Sequence, residues 1–508
     1  MKAKTSFGFD EISPKLLKQT ILPIVDPLCH IMNLSFSTGI VPHNCKIAKV
    51  LPFYKADDPH QFKNYRPISL LPTFSKILER LVHNRLNCYL KTNKLITPAQ
   101  YGFQQNLSTE MAILELQDRI AKQLINDKIS LGVFLDLSKA FDTLDHNILL
   151  KKLSKLGIRG LPQLWFANYL NNRNQYVQFT DNSSPKLSIK CGVPQGSILG
   201  PLLFLLYIND IPQPSDSNII LFADDTNLIF YNNDIQALIN SANEKLLTIS
   251  RWFQANKLSL NIQKTKYILF HKPRKKITQN NIEIKVNNIP IQQVKEIKFL
   301  GAYIDNTLSW KNHISKKANQ IVKVNAVLSR LKNKIPKHIL KTIYNSLIYP
   351  HLSYAVTSWG NVSNREMKRL EVLQKRSIRN ICRVKYNSHT NKLYKELGLL
   401  KISDIFNLAC SKFYLKINQK KVPQYFQQLL LHNRNLHSHF TRNSNDLHIF
   451  NTSSELNKQL INVKISQVWN NLPPYIKNNR TEHRIKDYFL SLYPSICNIH
   501  NCFICMNS

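Results

Sequence analysis

Apolar residues along this chain recur at two periods, and the switch between them outlines the fold. Residues 10–35 carry Ile12, Leu16, Leu17 and Ile21 at helical spacing, with Pro14 as a start signal. Ile77, Leu78, Leu81, Val82, Leu86, Tyr89 and Leu90 predict a second helix, and Thr109–Ile125 a third. Short β-branched or aromatic runs predict strands at Ile47–Tyr54, interrupted by Pro52, and at 129–136, ending on Asp136. Further strands are expected at Tyr176–Phe179, Leu187–Ile189, Leu258–Ile262, Tyr267–His271, Ile282–Ile291 and Lys298–Ile304. Asn64–Pro72, bounded by prolines, and Gln100–Leu107 read as loops. Ile148–Leu156, Leu161–Tyr169, Ser197–Ile211 and the strongly amphipathic Ile235–Asn256 read as helices. From Trp310 onward the pattern is almost wholly helical, over 310–331, 336–349, 365–382 and 403–417, and beyond 432 it weakens. A boundary is expected near 306–310.

One doublet interrupts this pattern with chemistry. Asp224 and Asp225 sit between the apolar runs 219–222 and 228–231, which places them at a hairpin turn. Desolvating two adjacent carboxylates is expensive, and a divalent cation compensates it. A solvated Asp-Asp turn is the plain alternative. Asp136, at a strand end 88 positions earlier, offers a third carboxylate. Between them, Gly192–Gly196 forms a loop feeding an apolar helix. Carboxylates on adjacent strand ends suit two Mg²⁺ ions, which clamp an attacking hydroxyl and a leaving pyrophosphate.

Composition points to the substrate class. Of 508 residues, 69 are Lys or Arg against 31 Asp or Glu, a net charge of +38, so a polyanion is the leading partner. The excess is uneven: Ser309–Ser508 has 32 basic and 8 acidic residues, net +24, whereas Met1–Leu308 nets +14. Nine scattered cysteines fit a reducing, intracellular compartment. The longest apolar run, 201–208, is too short to span a bilayer, and the first residues lack a signal-peptide pattern.

Phe134-Leu-Asp-Leu-Ser-Lys-Ala-Phe-Asp142, Gly192-Val-Pro-Gln-Gly-Ser-Ile-Leu-Gly-Pro201 and Phe222-Ala-Asp-Asp225 resemble the three palm motifs of reverse transcriptases. The likeness is strongest to the non-LTR (LINE-type, jockey-like) retrotransposon branch. Supporting blocks follow in order. Phe9–Ser13 resembles the extension before the fingers. Asn64–Ser69, and Gln100–Phe103 with Ser108-Thr109, resemble the two fingers motifs. Trp252–Asn261 with Lys264-Thr265 resembles the block after the active site, and Phe299-Leu300-Gly301 the primer grip. Ordered blocks are far more specific than any one motif.

The resemblance implies an α+β right-hand polymerase. Residues 1–128 would form fingers and N-terminal extension, 129–308 an antiparallel palm, 309–400 a helical thumb and 401–508 a basic C-terminal region of unknown role. The reverse transcriptase domain would span about 40–305. The implied activity is RNA-directed DNA polymerisation. Asp136, Asp224 and Asp225 would be catalytic and would hold two Mg²⁺ ions, or Mn²⁺, with the Leu137 carbonyl completing a shell. Arg66, Phe141, Gln195, Gly196 and Lys264 would bind nucleotide, Phe141 as the gate excluding a 2′-hydroxyl. Phe299, Leu300 and Gly301 would hold the primer. Partners would be an RNA template, a DNA primer or target DNA, and dNTPs, acting in the nucleus.

Two features depart from the family pattern. Gln104-Gln105 replaces the basic residue usual after Gly-Phe, and the usual upstream endonuclease is expected to be missing from this chain. These features frame the alternative, a nucleic-acid-binding relic without catalysis. An RNA-dependent RNA polymerase is disfavoured by bulky Phe141. Asp145 and His146 read as a solvated helix start. The tail residues Cys497, His500, Cys502 and Cys505 have zinc-ligand types, but their middle gap is too tight to close a standard finger.

Overall fold

The computed structural model describes residues 3–212, 218–272, 275, 282–436, 444–450, 454–478 and 481–494. Its centre is a five-stranded sheet in the order Gln292–Gln293, Lys266–Phe270, Ile129–Leu135, Asp225–Asn232, Asn218–Phe222. All neighbours are antiparallel except the short outer strand, which runs parallel to Lys266–Phe270. Every residue of Ile129–Leu135 is buried, because helices cover both faces. Side chains alternate across a strand, so Leu131, Val133 and Leu135 face one core with Tyr267, Leu228 and the apolar helix Leu199–Ile208. Phe134 faces the other, with Ile229, Ile268 and the helix Thr109–Ile125.

A second sheet lies ahead of it. Tyr65–Leu70 pairs antiparallel with Ile47–Tyr54, which pairs parallel with Arg173–Phe179, and Leu187–Ile189 closes the far edge. Two sequence expectations change here. Pro52 does not interrupt its strand: it lies directly opposite Pro67. Neither proline has an N–H, so this is a non-hydrogen-bonded position of the ladder, where none is needed. For the same reason the Asn64–Pro72 loop is instead a short 3₁₀ turn and a strand. The sheet also returns residues 173–189, from the middle of the chain, to the sheet of the first 70 residues. A third expectation fails at Leu258–Ile262, which makes only an isolated bridge, Leu137 to Leu260.

Beyond the Glu296–Phe299 and Ala302–Asp305 hairpin the chain is helical. Lys311–Leu331, Lys337–Leu347 and Asn364–Cys382 pack together, and Ile402–Asn418, Ile461–Asn470 and Glu482–Ser491 pack against them. Their apolar faces are continuous with the Thr109–Ile125 side of the central sheet. The central sheet, the sheet ahead of it and the helices behind it together have the α+β architecture of a right-hand polymerase. Among the described residues no helix is long and apolar enough to cross a membrane.

Candidate active site

The hairpin Asn218–Phe222/Asp225–Asn232 turns through Ala223 and Asp224 alone, with Phe222 opposite Asp225. Asp224 is therefore the turn residue and Asp225 the first residue of a strand. Ala223 holds the turn at φ 55°, a left-handed conformation that an L-residue adopts only under restraint. On the next strand the register pairs Leu135 with Thr226, so one further step brings Asp136 opposite Asp225. Both line a cleft of about 340 Å³ whose other walls include Lys264, Lys266, Lys298, Phe299 and Leu300.

Among the described residues no ion pair reaches Asp136, Asp224 or Asp225. Burial, then the neighbouring Asp136, pushes the Asp224 carboxyl above its ordinary range. Asp225 is pushed up to about 6 by burial, then by Asp224 and Asp136. The donors present are oxygens carrying uncompensated negative charge, which fits a hard divalent cation. No three acidic, His or Cys side chains among the described residues enclose an ion by themselves. Water or substrate oxygens would have to complete any coordination shell.

Asp136 is held from behind. Its N–H donates to Thr265 Oγ1 (3.3 Å), and its carbonyl accepts from Asn261 N–H (2.8 Å). The buried Thr265 hydroxyl in turn donates to the Asn261 carbonyl (2.9 Å). Leu137 is buried, and the flanking bonds Ser138 N–H to Ser259 carbonyl and Asn261 N–H to Asp136 carbonyl use neither of its own backbone groups. The Lys264 side chain is exposed beside the cleft.

Phe141, Gln195 and Gly196, expected from the resemblance to meet the nucleotide, form a second cluster. The Phe141 ring stacks on buried Phe204, centroids 4.5 Å apart, and meets Phe103 edge-on at 6.1 Å. Gln195 Nε2 donates to Asp142 Oδ1 (2.9 Å), and the Gln195 carbonyl accepts from Ser69 N–H (2.8 Å). Gly196 sits at φ 130°, where an added Cβ would press on the Ser69 carbonyl, so this close approach requires glycine. Arg66 is exposed, on the strand rather than in a loop, opposite Phe53. Phe299 is 2% exposed and packs on Phe134, so only Leu300 and Gly301 present a partly exposed surface at that turn. Asp145 caps a helix by accepting from Ile148 N–H (3.0 Å) and pairs with Lys257. His146 Nε2 lies 2.8 Å from the Gly192 carbonyl, bracing the loop. Cys497, His500, Cys502 and Cys505 lie outside the described residues.

Sequence reasoning missed three supports. Phe204 is the floor under Phe141, and its apolar run read only as core. Glu79, fully buried, accepts from Ile198 N–H (2.6 Å) and Tyr169 OH (2.8 Å), holding the Gly-rich loop in place. Gln100 accepts from Ala223 N–H (3.0 Å) beside the Asp pair. Their partners lie 63 to 123 positions away in sequence, so no local spacing announces them.

The fold and this carboxylate turn are arranged as in a right-hand polymerase. Residues 54–304 match the family described as reverse transcriptase (RNA-dependent DNA polymerase). The chain is 27% identical over 81% of its length to the "Probable RNA-directed DNA polymerase from transposon BS" of Drosophila melanogaster, covering 46% of that protein. It is also 27% identical over 77% of its length to the "RNA-directed DNA polymerase from mobile element jockey" of the same species, covering 43%. The chain thus spans about half the length of the curated relatives it matches. Among solved structures it resembles apo telomerase from Candida tropicalis, at 11% identity and a TM-score of 0.42, over 80% of this chain and 73% of that one. Residues 54–304 thus resemble a reverse transcriptase domain, and the chain as a whole resembles the RNA-directed DNA polymerases of the BS and jockey mobile elements.

Proposed function

We propose that this chain is an RNA-directed DNA polymerase that transfers a deoxynucleotide from dNTP to a primer 3′-hydroxyl on an RNA template, as part of retrotransposition. The observation that carries this is the facing of Asp136 and Asp225, with Asp224 adjoining, none of them in an ion pair among the described residues. Two Mg²⁺ ions, or Mn²⁺, held by Asp136, Asp224 and Asp225 would neutralise charge on the reacting phosphate and lower the pKa of the attacking hydroxyl. Every other role falls to the chain itself. Phe141, rigid on Phe204, would lie under the sugar and exclude a 2′-hydroxyl. Gln195, oriented by Asp142, and Gly196 would line the nascent pair. Arg66 and Lys264 would meet the triphosphate, and Leu300 and Gly301 the primer.

In this reading residues 1–128 and the returning 173–189 segment act as fingers. The helices of 309–400 act as thumb, and its basic surface follows phosphates in a salt-sensitive, sequence-tolerant way. An A-form RNA–DNA hybrid is recognised by shape. The place of action is nuclear DNA, with an upstream endonuclease as the partner such a role requires. The test is primer extension on an RNA template with dNTPs and Mg²⁺. The parent should extend the primer, and Asp224→Ala should not; equal incorporation by both refutes the site. Phe141→Ala should admit rNTPs, and an unchanged sugar preference removes Phe141 from the gate.

A further inference from the structure

The buried Gln100 side chain touches the metal-facing turn without belonging to it. Gln100 is 1% exposed. Its Oε1 accepts two backbone N–H groups at once, from Gly102 (2.7 Å) and from Ala223 (3.0 Å). The strand-like contact around it is continuous. Tyr101 N–H donates to the Leu221 carbonyl (2.8 Å), and Leu221 N–H donates to the Ala99 carbonyl (2.9 Å). Gly102 packs so closely that an added Cβ would press on the Ala223 nitrogen. Gln104 fastens the same loop by donating from Nε2 to the Gln100 carbonyl (2.6 Å).

Ala223 needs this support. It is the residue before Asp224, and its φ of 55° is unfavourable for a side chain with a Cβ. A hydrogen bond to its N–H from a fixed, buried acceptor selects that conformation over a relaxed one. The direction in which Asp224 leaves the turn follows from it. The bond also orders the amide: both N–H groups point at Oε1, so Nε2 faces away, and it is buried without a partner among the described residues. An unsatisfied amide nitrogen is costly to keep, and a purely structural contact gives no reason to retain it.

We infer that Gln100 is a positioning residue for the catalytic turn, setting the Asp224 carboxylate for the divalent cation through the Ala223 N–H. This rests on the metal-dependent reading above. The same loop carries Phe103, directly after Gly102 and edge-on to Phe141. One short segment therefore braces both the carboxylates and the ring under the sugar.

The experiment measures Mn²⁺ affinity by electron paramagnetic resonance on the full chain without nucleotide, beside primer–template affinity and melting temperature. Gln100→Met, which keeps length but removes the acceptor, should weaken Mn²⁺ binding about tenfold or more. Primer–template affinity should stay at the parental value. Gln100→Glu, which keeps an oxygen at the Oε1 position, should recover most of the Mn²⁺ affinity. Parental Mn²⁺ affinity in Gln100→Met, or no recovery in Gln100→Glu, overturns the proposal. If Gln100→Met does not fold, Gly102→Ala carries the same test through the displaced Ala223 nitrogen, and unchanged Mn²⁺ affinity there overturns it equally. A parent that binds Mn²⁺ but extends no primer refutes the polymerase reading and leaves this result standing.

Discussion

The palm turn and the C-terminal helices both bury charge, and they treat it in opposite ways. At the turn, Asp225 faces Asp136 with Asp224 adjoining, none of the three in an ion pair among the described residues, and burial raises the Asp224 and Asp225 carboxyls. Behind the palm, buried Asp118 on the helix Thr109–Ile125 is fully engaged. Its Oδ1 accepts from Ile461 N–H (2.9 Å), and its Oδ2 accepts from Tyr425 OH (2.6 Å) and pairs with Lys122 (2.8 Å). Lys464, fully buried, donates to the carbonyls of Ser358 (2.7 Å) and Thr357 (3.2 Å). Gln459 adds a bond to the Leu308 carbonyl (3.2 Å), and Asn361 one to the Lys458 carbonyl (2.8 Å). The second set staples residues 425–464 to the helix Thr109–Ile125, to Leu308 and to Thr357 and Ser358. Charge left uncompensated marks a place for a ligand, whereas charge fully hydrogen-bonded marks a joint.

The largest expected effect tests the first half of that contrast. Asp224→Asn should lower the single-turnover extension rate by about 10³-fold or more, the scale of several kcal/mol of lost charge stabilisation. It should not lower the melting temperature, because removing a buried uncompensated charge relieves desolvation. A variant that loses stability along with activity would make the turn a structural feature, and the contrast would collapse.

The joint should behave in reverse. Asp118→Ala leaves Tyr425, Lys122 and the Ile461 N–H without their acceptor, and should destabilise the chain by about 3 kcal/mol, the scale of breaking a buried pair. Denaturant unfolding measures it. Mn²⁺ affinity at the palm should be unchanged in the folded fraction. Loss of metal binding in Asp118→Ala would show that the staple also sets the catalytic turn.

How legible each region is follows from the range of its contacts. The turn was readable because two strands, Asp136 and the Asp pair announce themselves within a few residues each. The helix Thr109–Ile125 has the bounds that its periodicity predicts, since Ser108 caps it by accepting from Met111 N–H. The Tyr65–Leu70 strand was hidden, because its prolines carry a loop signal that only the facing Pro52 cancels. The Leu258–Ile262 run has strand-like residues but gains just one bridging partner. The joint was invisible. Asp118 and Ile461 are 343 positions apart, and an acidic residue in an amphipathic helix ordinarily reads as a solvated face. The weak pattern past 432 likewise hid Ile461–Asn470, whose buried face includes Lys464 and Ser466 alongside Ile461, Val463, Ile465 and Trp469.

A smaller effect separates the regions by pH. A carboxyl that titrates near 3.8 when unfolded titrates near about 6 at Asp225 in the folded chain. Between those values the folded state holds the extra proton, so this stabilisation is present below 3.8 and is lost as pH rises through about 6. The melting temperature of Asp225→Asn should match the parent near the acid end and exceed it progressively toward neutrality. Added Mg²⁺ should close that gap over the same window, by stabilising the ionised parent. A constant offset between the two proteins across the range would remove Asp225 from the uncompensated set.

The smallest effect lies at the alkaline end and belongs to the joint. Burial lowers the Lys464 ammonium from 10.5 to about 8. Between those values the unfolded chain holds the extra proton, so stability gained from this residue rises with pH from about 8 to 10.5. A neutral amine can still donate to the Ser358 and Thr357 carbonyls, so deprotonation relieves desolvation without dissolving the joint. Lys464→Met should therefore be less stable throughout, by about 1–3 kcal/mol for carbonyls left unpaired, and the deficit should widen as pH rises. Following both proteins by denaturant unfolding isolates that slope from other alkaline titrations, which the pair shares. A deficit that narrows instead would mean that the charge itself holds the joint, with Asp118 as its partner, and the two regions would then differ only in whether the counter-charge comes from the chain.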